Sequence, residues 1–401
     1  MNQNMHFDLV ILGVLVAFIV YALLTRLVDR SLLTLPIIFM CVGYVLSEPL
    51  RSAAPPELMN EGKRLLAEIT LVLVLFSDAS HVQFSQLRQS WRLPARMLLI
   101  GLPLSIGLGT LVTWLVSPEG GVAMALLTAA VLTPTDAALG QSVVTSNNVP
   151  ERLSETINVE SGLNDGLVLP FVLLGAILTS AGATDTSTDG LALSAITQIV
   201  LGPLSGIATG WLVARAMDVA QARRWISASA EGVVFLAAAF AAYVLASAIG
   251  GNGFIAAFVA GMIFGNTYKH NIRFVREFMD GAGLLLTMSA FLVFGALLLP
   301  DGLAHSSLKT MVIAVLFLTV VRVGAIWLSL TGSGLKMREK LFLGWFGPRG
   351  LASILFTLII IDEFEFPNEA ELLACVSMTV ALSILVHGLS STPLARWIGR
   401  Q

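Results

Sequence analysis

Apolar segments long enough to cross a bilayer recur along the whole chain and constrain its fold more than any other feature. We count about thirteen, near residues 8–24, 31–47, 64–80, 97–116, 122–146, 154–179, 191–214, 230–249, 252–267, 281–299, 309–331, 340–361 and 371–395. Of 401 residues, 56% are hydrophobic and 12% charged, which excludes a soluble domain, and the net charge of −3 does not indicate nucleic-acid binding. The sequence therefore predicts an all-α polytopic membrane protein with about 13 transmembrane helices.

The distribution of Lys and Arg supports this count and predicts an orientation. Seventeen of these residues follow odd-numbered segments, including the last, whereas four follow even-numbered ones. We therefore expect the N-terminus outside and the C-terminus in the cytoplasm, in a bacterial inner (plasma) membrane. Because no basic residue precedes the first segment, we expect no cleaved signal peptide, and we expect no soluble domain.

Thirteen segments divide into six, one linker and six, which predicts an inverted repeat of the kind found in secondary transporters. The first repeat covers about 8–180, the linker helix about 191–214 and the second repeat about 230–397. Pro134 interrupts segment 5, and Pro348 interrupts segment 12, seven segments later. Because proline removes a backbone donor and breaks the helix, we expect two crossed discontinuous helices with unwound backbone at membrane depth.

Segment 6 carries polar residues in the middle of an otherwise apolar helix. Glu160 and Asn164 are four residues apart, as are Ser161 and Asp165, so they form adjacent stripes on one helix face. A carboxylate at this depth needs a partner, a water-filled cavity or a function. We predict that Asp165 binds the cation or proton, with oxygen ligands from Ser161, Asn164 and the loosened backbone near Thr133.

The roles of the other carboxylates are left open by the sequence. Glu160 is either a ligand or the structural partner of Arg349, the basic residue in the middle of segment 12, and we favour the ion pair. Asp136 is either a ligand or neutralises an exposed helix end. Glu68 and Asp78 in segment 3 are candidates of lower rank. For Arg322 in segment 11 we expect a snorkelling or scaffold role.

Histidines and cysteines contribute little to the predicted site. We expect the histidines to be incidental: His6, His81, His270, His305 and His387. Cys41 and Cys375 lie in apolar segments and are expected to be free thiols that pack as small apolar groups. We expect no cofactor.

Three motifs together resemble those of a known family. They are TPTD at residues 133–136, ESGLND at 160–165 and GPRG at 347–350, with a weaker match, LFSDA, at 75–79. In this combination the chain resembles the NhaP-type sodium–proton antiporters of the monovalent cation:proton antiporter family. The resemblance implies a homodimer in which each protomer has a dimerisation domain and a six-helix core that moves as an elevator.

The resemblance also implies roles for individual residues. Asp165 would be the ion-binding aspartate, and its neighbour Asn164 is typical of electroneutral exchangers that move one cation for one proton. Glu160 and Arg349 would form the family's structural ion pair. The residues of the crossed, unwound helices around the site would include Thr133, Thr135 and Asp136.

From these observations we expect a secondary antiporter that serves pH homeostasis. Na⁺, or Li⁺, and H⁺ would compete for Asp165, and the core would reorient only when this charge is neutralised. A K⁺/H⁺ antiporter of the same fold is the alternative, because ion identity depends on site geometry. An intramembrane aspartyl protease using Asp136 and Asp165 is a remote alternative, since its Gly-x-Gly-Asp signature is absent. The expected partners are the cation, membrane lipid and a second copy of the chain.

Overall fold

The computed structural model describes residues 3–28, 33–53, 55–84, 91–136, 139, 143, 146, 148–184, 188–270 and 273–399. Within these residues the regular structure is entirely helical. The helices are α1 (Gln3–Val28), α2 (Leu35–Ala53), α3 (Pro56–His81), α4 (Arg92–Val116), α5 (Gly121–Leu132), α6 (Glu151–Thr184), α7 (Thr188–Ala222), α8 (Ala228–Ala248), α9 (Gly253–Thr267), α10 (Arg273–Val293, continued by Phe294–Leu298 and Leu299–Ala304), α11 (Leu308–Ser329), α12 (Met337–Trp345), α13 (Leu351–Glu363) and α14 (Glu369–Gly399).

Each predicted apolar segment coincides with one of these helices, or with a pair of them where a segment is broken. Eight helices of the described part are long and apolar enough to span a membrane, and α5 and α9 are shorter apolar helices. The helices extend beyond several apolar runs because polar residues continue the helix past the bilayer core; α3, for example, begins at Pro56 rather than near residue 64. The chain is an integral membrane protein, and the predicted all-helical fold class is confirmed.

Two of the segments are discontinuous, as the prolines predict. Helix α5 ends at Leu132, the backbone of residues 133–136 is not helical, and helical geometry returns at Leu139 and Val143. In segment 12, residues 346–350 separate α12 from α13. The Asp136 amide donates to the Pro348 carbonyl across 2.8 Å, so the two breaks contact each other. The inverted-repeat relation between the two halves of the chain remains a prediction.

Two sets of helices pack closely, and they also contact each other, through α13 against α3 and the end of α10 against α14. In the scaffold bundle, α9 packs between α3 and α7 beside α8, and α2 packs against α10. Small residues permit this close packing: a Cβ on Gly261 or Gly265 of α9 would overlap the α3 backbone at Phe76 or Ser80. In the site bundle, α5 packs between α4 and α6, and α14 packs against α11 and α13. Helix α1 lies outermost, since only 11% of its span is buried.

Candidate ion-binding site

The four residues of α6 that the sequence predicts for the site are all buried where α6 passes the break in segment 5. Their exposed fractions are 2% for Glu160, 4% for Ser161, 1% for Asn164 and 9% for Asp165. The Ser161 hydroxyl donates to the carbonyl of Thr135 at 2.6 Å, and the side-chain amide of Asn164 donates to the Thr135 hydroxyl at 2.5 Å. Unwinding of the chain after α5 thus supplies the backbone and side-chain oxygens that hold this face of α6.

Two neighbouring oxygens of the site remain available for a ligand. Asp165 Oδ1 and Asn164 Oδ1 are both buried and have no hydrogen-bond partner among the described residues. Asp165 also experiences the negative charges of Asp78, Asp136 and Glu160. An acceptor-only carboxylate oxygen beside an amide oxygen, in a field of negative charge, suits a small hard cation or a proton.

Asp136 joins the two broken segments through both its backbone and its side chain. Its amide bonds to Pro348, and its Oδ2 accepts a hydrogen bond from the backbone N–H of Leu351 at 2.8 Å. Leu351 is the first residue of α13, so the carboxylate lies at the positive end of that helix. A Cβ on Gly350 would overlap Asp136 Oδ2, so glycine is needed there for this approach. Of the two expected roles, the structure shows the helix-end contact.

The structural ion pair is not the one expected from the sequence. Glu160 binds Arg322 in a bidentate pair, with Oε1–Nη1 and Oε2–Nη2 distances of 2.7 and 2.9 Å. Both side chains are only 3% exposed, so the predicted Glu160–Arg349 pair was wrong, and of the two roles expected for Arg322 the structure shows the scaffold role and not snorkelling. Each charge of this pair offsets part of the cost of burying the other. A π-helical turn at Phe317–Val321 immediately precedes Arg322 on α11.

Arg349 instead binds the backbone of the break in which it lies. It is fully buried, its Nη1 donates to the Gly347 carbonyl at 2.8 Å, and its Nε and Nη2 have no hydrogen-bond partner among the described residues. Its backbone N–H donates to Ser383 Oγ of α14 at 2.6 Å. The sequence contained two arginines in mid-segment, and the same desolvation argument applied to both, so it did not distinguish between them.

The remaining predicted residues fall into near and distant groups. Asp78 lies beside Gly162 of α6, and its charge reaches Asp165. Thr133 lies at the break, but its hydroxyl donates to the Ala129 carbonyl of its own helix at 2.7 Å. Glu68 belongs to a different cluster on α3, near Tyr243 and Glu363. The structure thus brings Asp78 to the site and leaves Glu68 apart from it.

The described residues contain no group of three or more His, Cys, Asp or Glu side chains arranged to hold a metal ion. A cation at Asp165 would therefore also need oxygen ligands from amides, hydroxyls or backbone carbonyls. Candidate groups of this kind are Asn164, the next residue on α6, and Thr135 with the unwound backbone, which is hydrogen-bonded to Asn164 and Ser161. This donor set suits an alkali cation better than a transition metal.

Comparison with known proteins defines the family of this chain. Residues 14–397 match the model of the transmembrane sodium/hydrogen exchanger family, so the chain belongs to that family. This confirms the resemblance drawn from the three motifs.

Curated relatives and a solved structure agree with this assignment. The K(+)/H(+) antiporter NhaP2 of Shewanella oneidensis is 25% identical over 94% of this chain, and the Na(+)/H(+) antiporter of Saccharomyces cerevisiae is 25% identical over 81%. This chain spans 65% of the first relative's length and 36% of the second's. The sodium proton antiporter MjNhaP1 of Methanocaldococcus jannaschii has the same fold, with a TM-score of 0.79 over 100% of both chains at 17% identity.

Proposed function

We propose that this protein is a secondary antiporter that exchanges a monovalent cation, Na⁺ and also Li⁺, for H⁺. The observation that carries the proposal is that two buried oxygens on consecutive residues of α6, Asn164 Oδ1 and Asp165 Oδ1, have no hydrogen-bond partner among the described residues, on a helix that is bonded to the first of the two crossed breaks. A family of sodium/hydrogen exchangers is a family of transporters, which supports transport over peptide cleavage.

The stoichiometry follows from the partners of the neighbouring carboxylates. Glu160 is neutralised by Arg322, and Asp136 lies on the start of α13. Asp165, whose buried Oδ1 has no hydrogen-bond partner among the described residues, is the carboxylate that we assign to bind either a cation or a proton, and Asn164 adds a dipole without a titrating group. One carboxylate that holds one or the other gives electroneutral exchange of one cation for one proton.

The transport cycle that we propose moves the site bundle against the scaffold bundle. Because hydrogen bonds link segments 5, 6 and 12 around Asp165, these elements would move together as an elevator while α3, α7 and α9 stay in place. The sparsely buried face of α1 would contact lipid or a second protomer of a homodimer. We further propose a bacterial plasma-membrane location, with the N-terminus outside and the C-terminus in the cytoplasm.

The test is proton movement in proteoliposomes that contain a pH dye, with sodium, lithium and potassium added in turn. Sodium-evoked proton movement that survives collapse of the membrane potential is the expected result, and it should vanish in D165N. The matched control is E155Q, because Glu155 is an exposed carboxylate on the same helix. Full activity in D165N would overturn the assignment of the site.

A K⁺/H⁺ antiporter is the second candidate. It is favoured by bacterial relatives described as K(+)/H(+) antiporters, including the one from Shewanella oneidensis. In the same assay, a response to potassium alone that is lost in D165N would support the same mechanism at Asp165, with K⁺ as the transported ion. A response to sodium or lithium but not to potassium would exclude this candidate.

A further inference from the structure

We propose that Ser383 and His387 of α14 are positioning residues that hold the unwound backbone of segment 12 in the geometry needed for ion binding. This inference rests on the proposed exchange function. Both residues are buried, with exposed fractions of 0% and 1%, and they lie four residues apart on one face of α14. Neither touches the ion-binding oxygens directly.

The two residues bind opposite ends of the break at residues 346–350. On its N-terminal side, His387 Nε2 lies 3.0 Å from the carbonyl oxygen of Trp345, the last residue of α12. Towards its C-terminal side, Ser383 Oγ accepts from the backbone N–H of Arg349 at 2.6 Å. These contacts supply a partner for the Arg349 amide and a second partner for the Trp345 carbonyl, which also accepts from the Gly347 N–H at 2.8 Å.

The hydrogen-bond directions follow from which atoms can only accept. The Trp345 carbonyl is an acceptor, so Nε2 of His387 carries the proton. Ser383 Oγ accepts from the backbone N–H of Arg349, and His387 Nδ1 lies 3.1 Å from this Oγ and 3.0 Å from the Ser383 carbonyl oxygen. Polar contacts thus run from the Arg349 amide through Ser383 and His387 to the Trp345 carbonyl.

A third residue on the same face strengthens the attachment. The Trp345 indole N–H donates to Ser390 Oγ at 3.0 Å, and the Trp345 and His387 rings lie 5.3 Å apart. Residues 383, 387 and 390 are spaced by four and three, so they form one polar stripe along α14. The stripe fixes the end of α12 to α14.

The contacts of Ser383 and His387 with the break at residues 346–350 form what we call the clamp. The clamp is connected to the ion-binding site where the breaks of segments 5 and 12 cross. The carbonyl of Pro348, which lies within the clamped break, accepts from the Asp136 amide. Thr135, the residue before Asp136, accepts hydrogen bonds from the Ser161 and Asn164 side chains. If the stretch relaxes, the crossing and the oxygens at Asn164 and Asp165 shift with it. Loss of the clamp should therefore weaken cation binding more than it slows the maximal rate.

Three substitutions of His387 separate hydrogen bonding from packing. H387Q keeps a donor that can reach the Trp345 carbonyl, H387N keeps an acceptor for Ser383 but shortens the side chain, and H387L keeps bulk and removes both. We expect H387L to raise the KM for the transported cation about fivefold with little change in maximal rate, and H387Q to stay within about twofold of wild type. H387N should resemble H387L. S383A should also raise KM.

T379V and S391A are matched controls on α14. Each removes a buried hydroxyl that bonds only within the helix, to Cys375 or Gly388 respectively. Both should leave KM unchanged. Equal impairment in H387Q and H387L would overturn the hydrogen-bonding role, and a normal KM in H387L would overturn the proposal.

A measurement independent of transport separates this proposal from the proposed function. Amide hydrogen exchange of the purified protein, read on peptides covering residues 345–352, should speed up in H387L and S383A but not in T379V or S391A. Unchanged protection of this stretch in H387L would overturn the clamp even if transport is confirmed. Faster exchange in a protein that moves no cation would instead leave the clamp standing and refute only the proposed function.

Discussion

The amide of Asp136 and the carbonyl of Pro348 lie 2.8 Å apart, and this one bond joins breaks that are more than two hundred residues apart in the chain. The Asp136 carboxylate adds a second bond, to the first residue of α13. Each break thus satisfies backbone groups of the other, which allows unwound chain to persist at membrane depth.

Substitution of Gly350 tests this junction. G350A should abolish exchange, because its Cβ would overlap Asp136 Oδ2 and displace the carboxylate from α13. The matched control is G107A on α4, where a Cβ would meet nothing within 4 Å. Exchange and thermal stability should both be measured, and a fully active G350A protein would show that the junction is not required.

Removal of Arg322 tests the buried ion pair. R322M should lower the free energy of unfolding by about 3–5 kcal/mol, because Glu160 would stay buried without a counter-ion. The double variant E160Q/R322M should recover part of this loss. Thermal unfolding of the detergent-purified protein measures both.

A double-mutant cycle of Glu160 with Arg349 provides the comparison for that experiment. Since Arg349 binds the Gly347 carbonyl and makes no ion pair with Glu160, the coupling energy should be smaller than for Glu160 with Arg322. A larger coupling to Arg349 would contradict the pairing that the structure shows.

Substitution of the two threonines in the first break should distinguish a residue that supports the ion-binding site from one that bonds only to its own helix. The Thr135 hydroxyl accepts from the side-chain amide of Asn164 and donates to Glu160 Oε2 at 3.3 Å. T135V removes both hydrogen bonds and should raise the KM for the cation about fivefold. The control is T133V, whose lost hydroxyl bonds only within α5. Concentration series in the exchange assay give both values, and equal effects of the two substitutions would argue against a specific role for Thr135.

Competition at Asp165 predicts the pH dependence of transport. A proton and a cation that exclude each other make the apparent KM rise as pH falls, by up to tenfold per pH unit for a single proton. At higher pH, where Asp165 is ionised, KM should become constant. Measurements of KM against pH would contradict one-for-one competition if the slope exceeded tenfold per unit, or if KM rose with increasing pH.

Much of the fold could be predicted from the sequence because membranes restrict the possibilities. Uninterrupted apolar segments must become helices, and Pro134 and Pro348 must break theirs, so the order of elements followed from local chemistry. The burial of Asn164 and Asp165 followed from their helical spacing. These inferences needed no knowledge of which helices touch.

The pairings could not be predicted in the same way. Arg322 and Arg349 both lie in mid-segment, and only the arrangement of their side chains in three dimensions decides which one meets Glu160. Thr133 and Thr135 look equivalent in sequence, yet one hydroxyl turns back to its own helix and the other faces α6. The role of His387 could not be predicted, because its contact with the Trp345 carbonyl depends on where α12 ends and on how α14 packs against it.

The separation of 162 residues between Glu160 and Arg322 has a consequence for biosynthesis. At roughly 5–20 residues per second, a ribosome needs on the order of 10–30 s to make the arginine after the glutamate has emerged. During that interval α6 carries an uncompensated carboxylate that is costly in lipid. The nascent chain must therefore be sheltered, at the insertion machinery or against its own earlier helices, until α11 arrives.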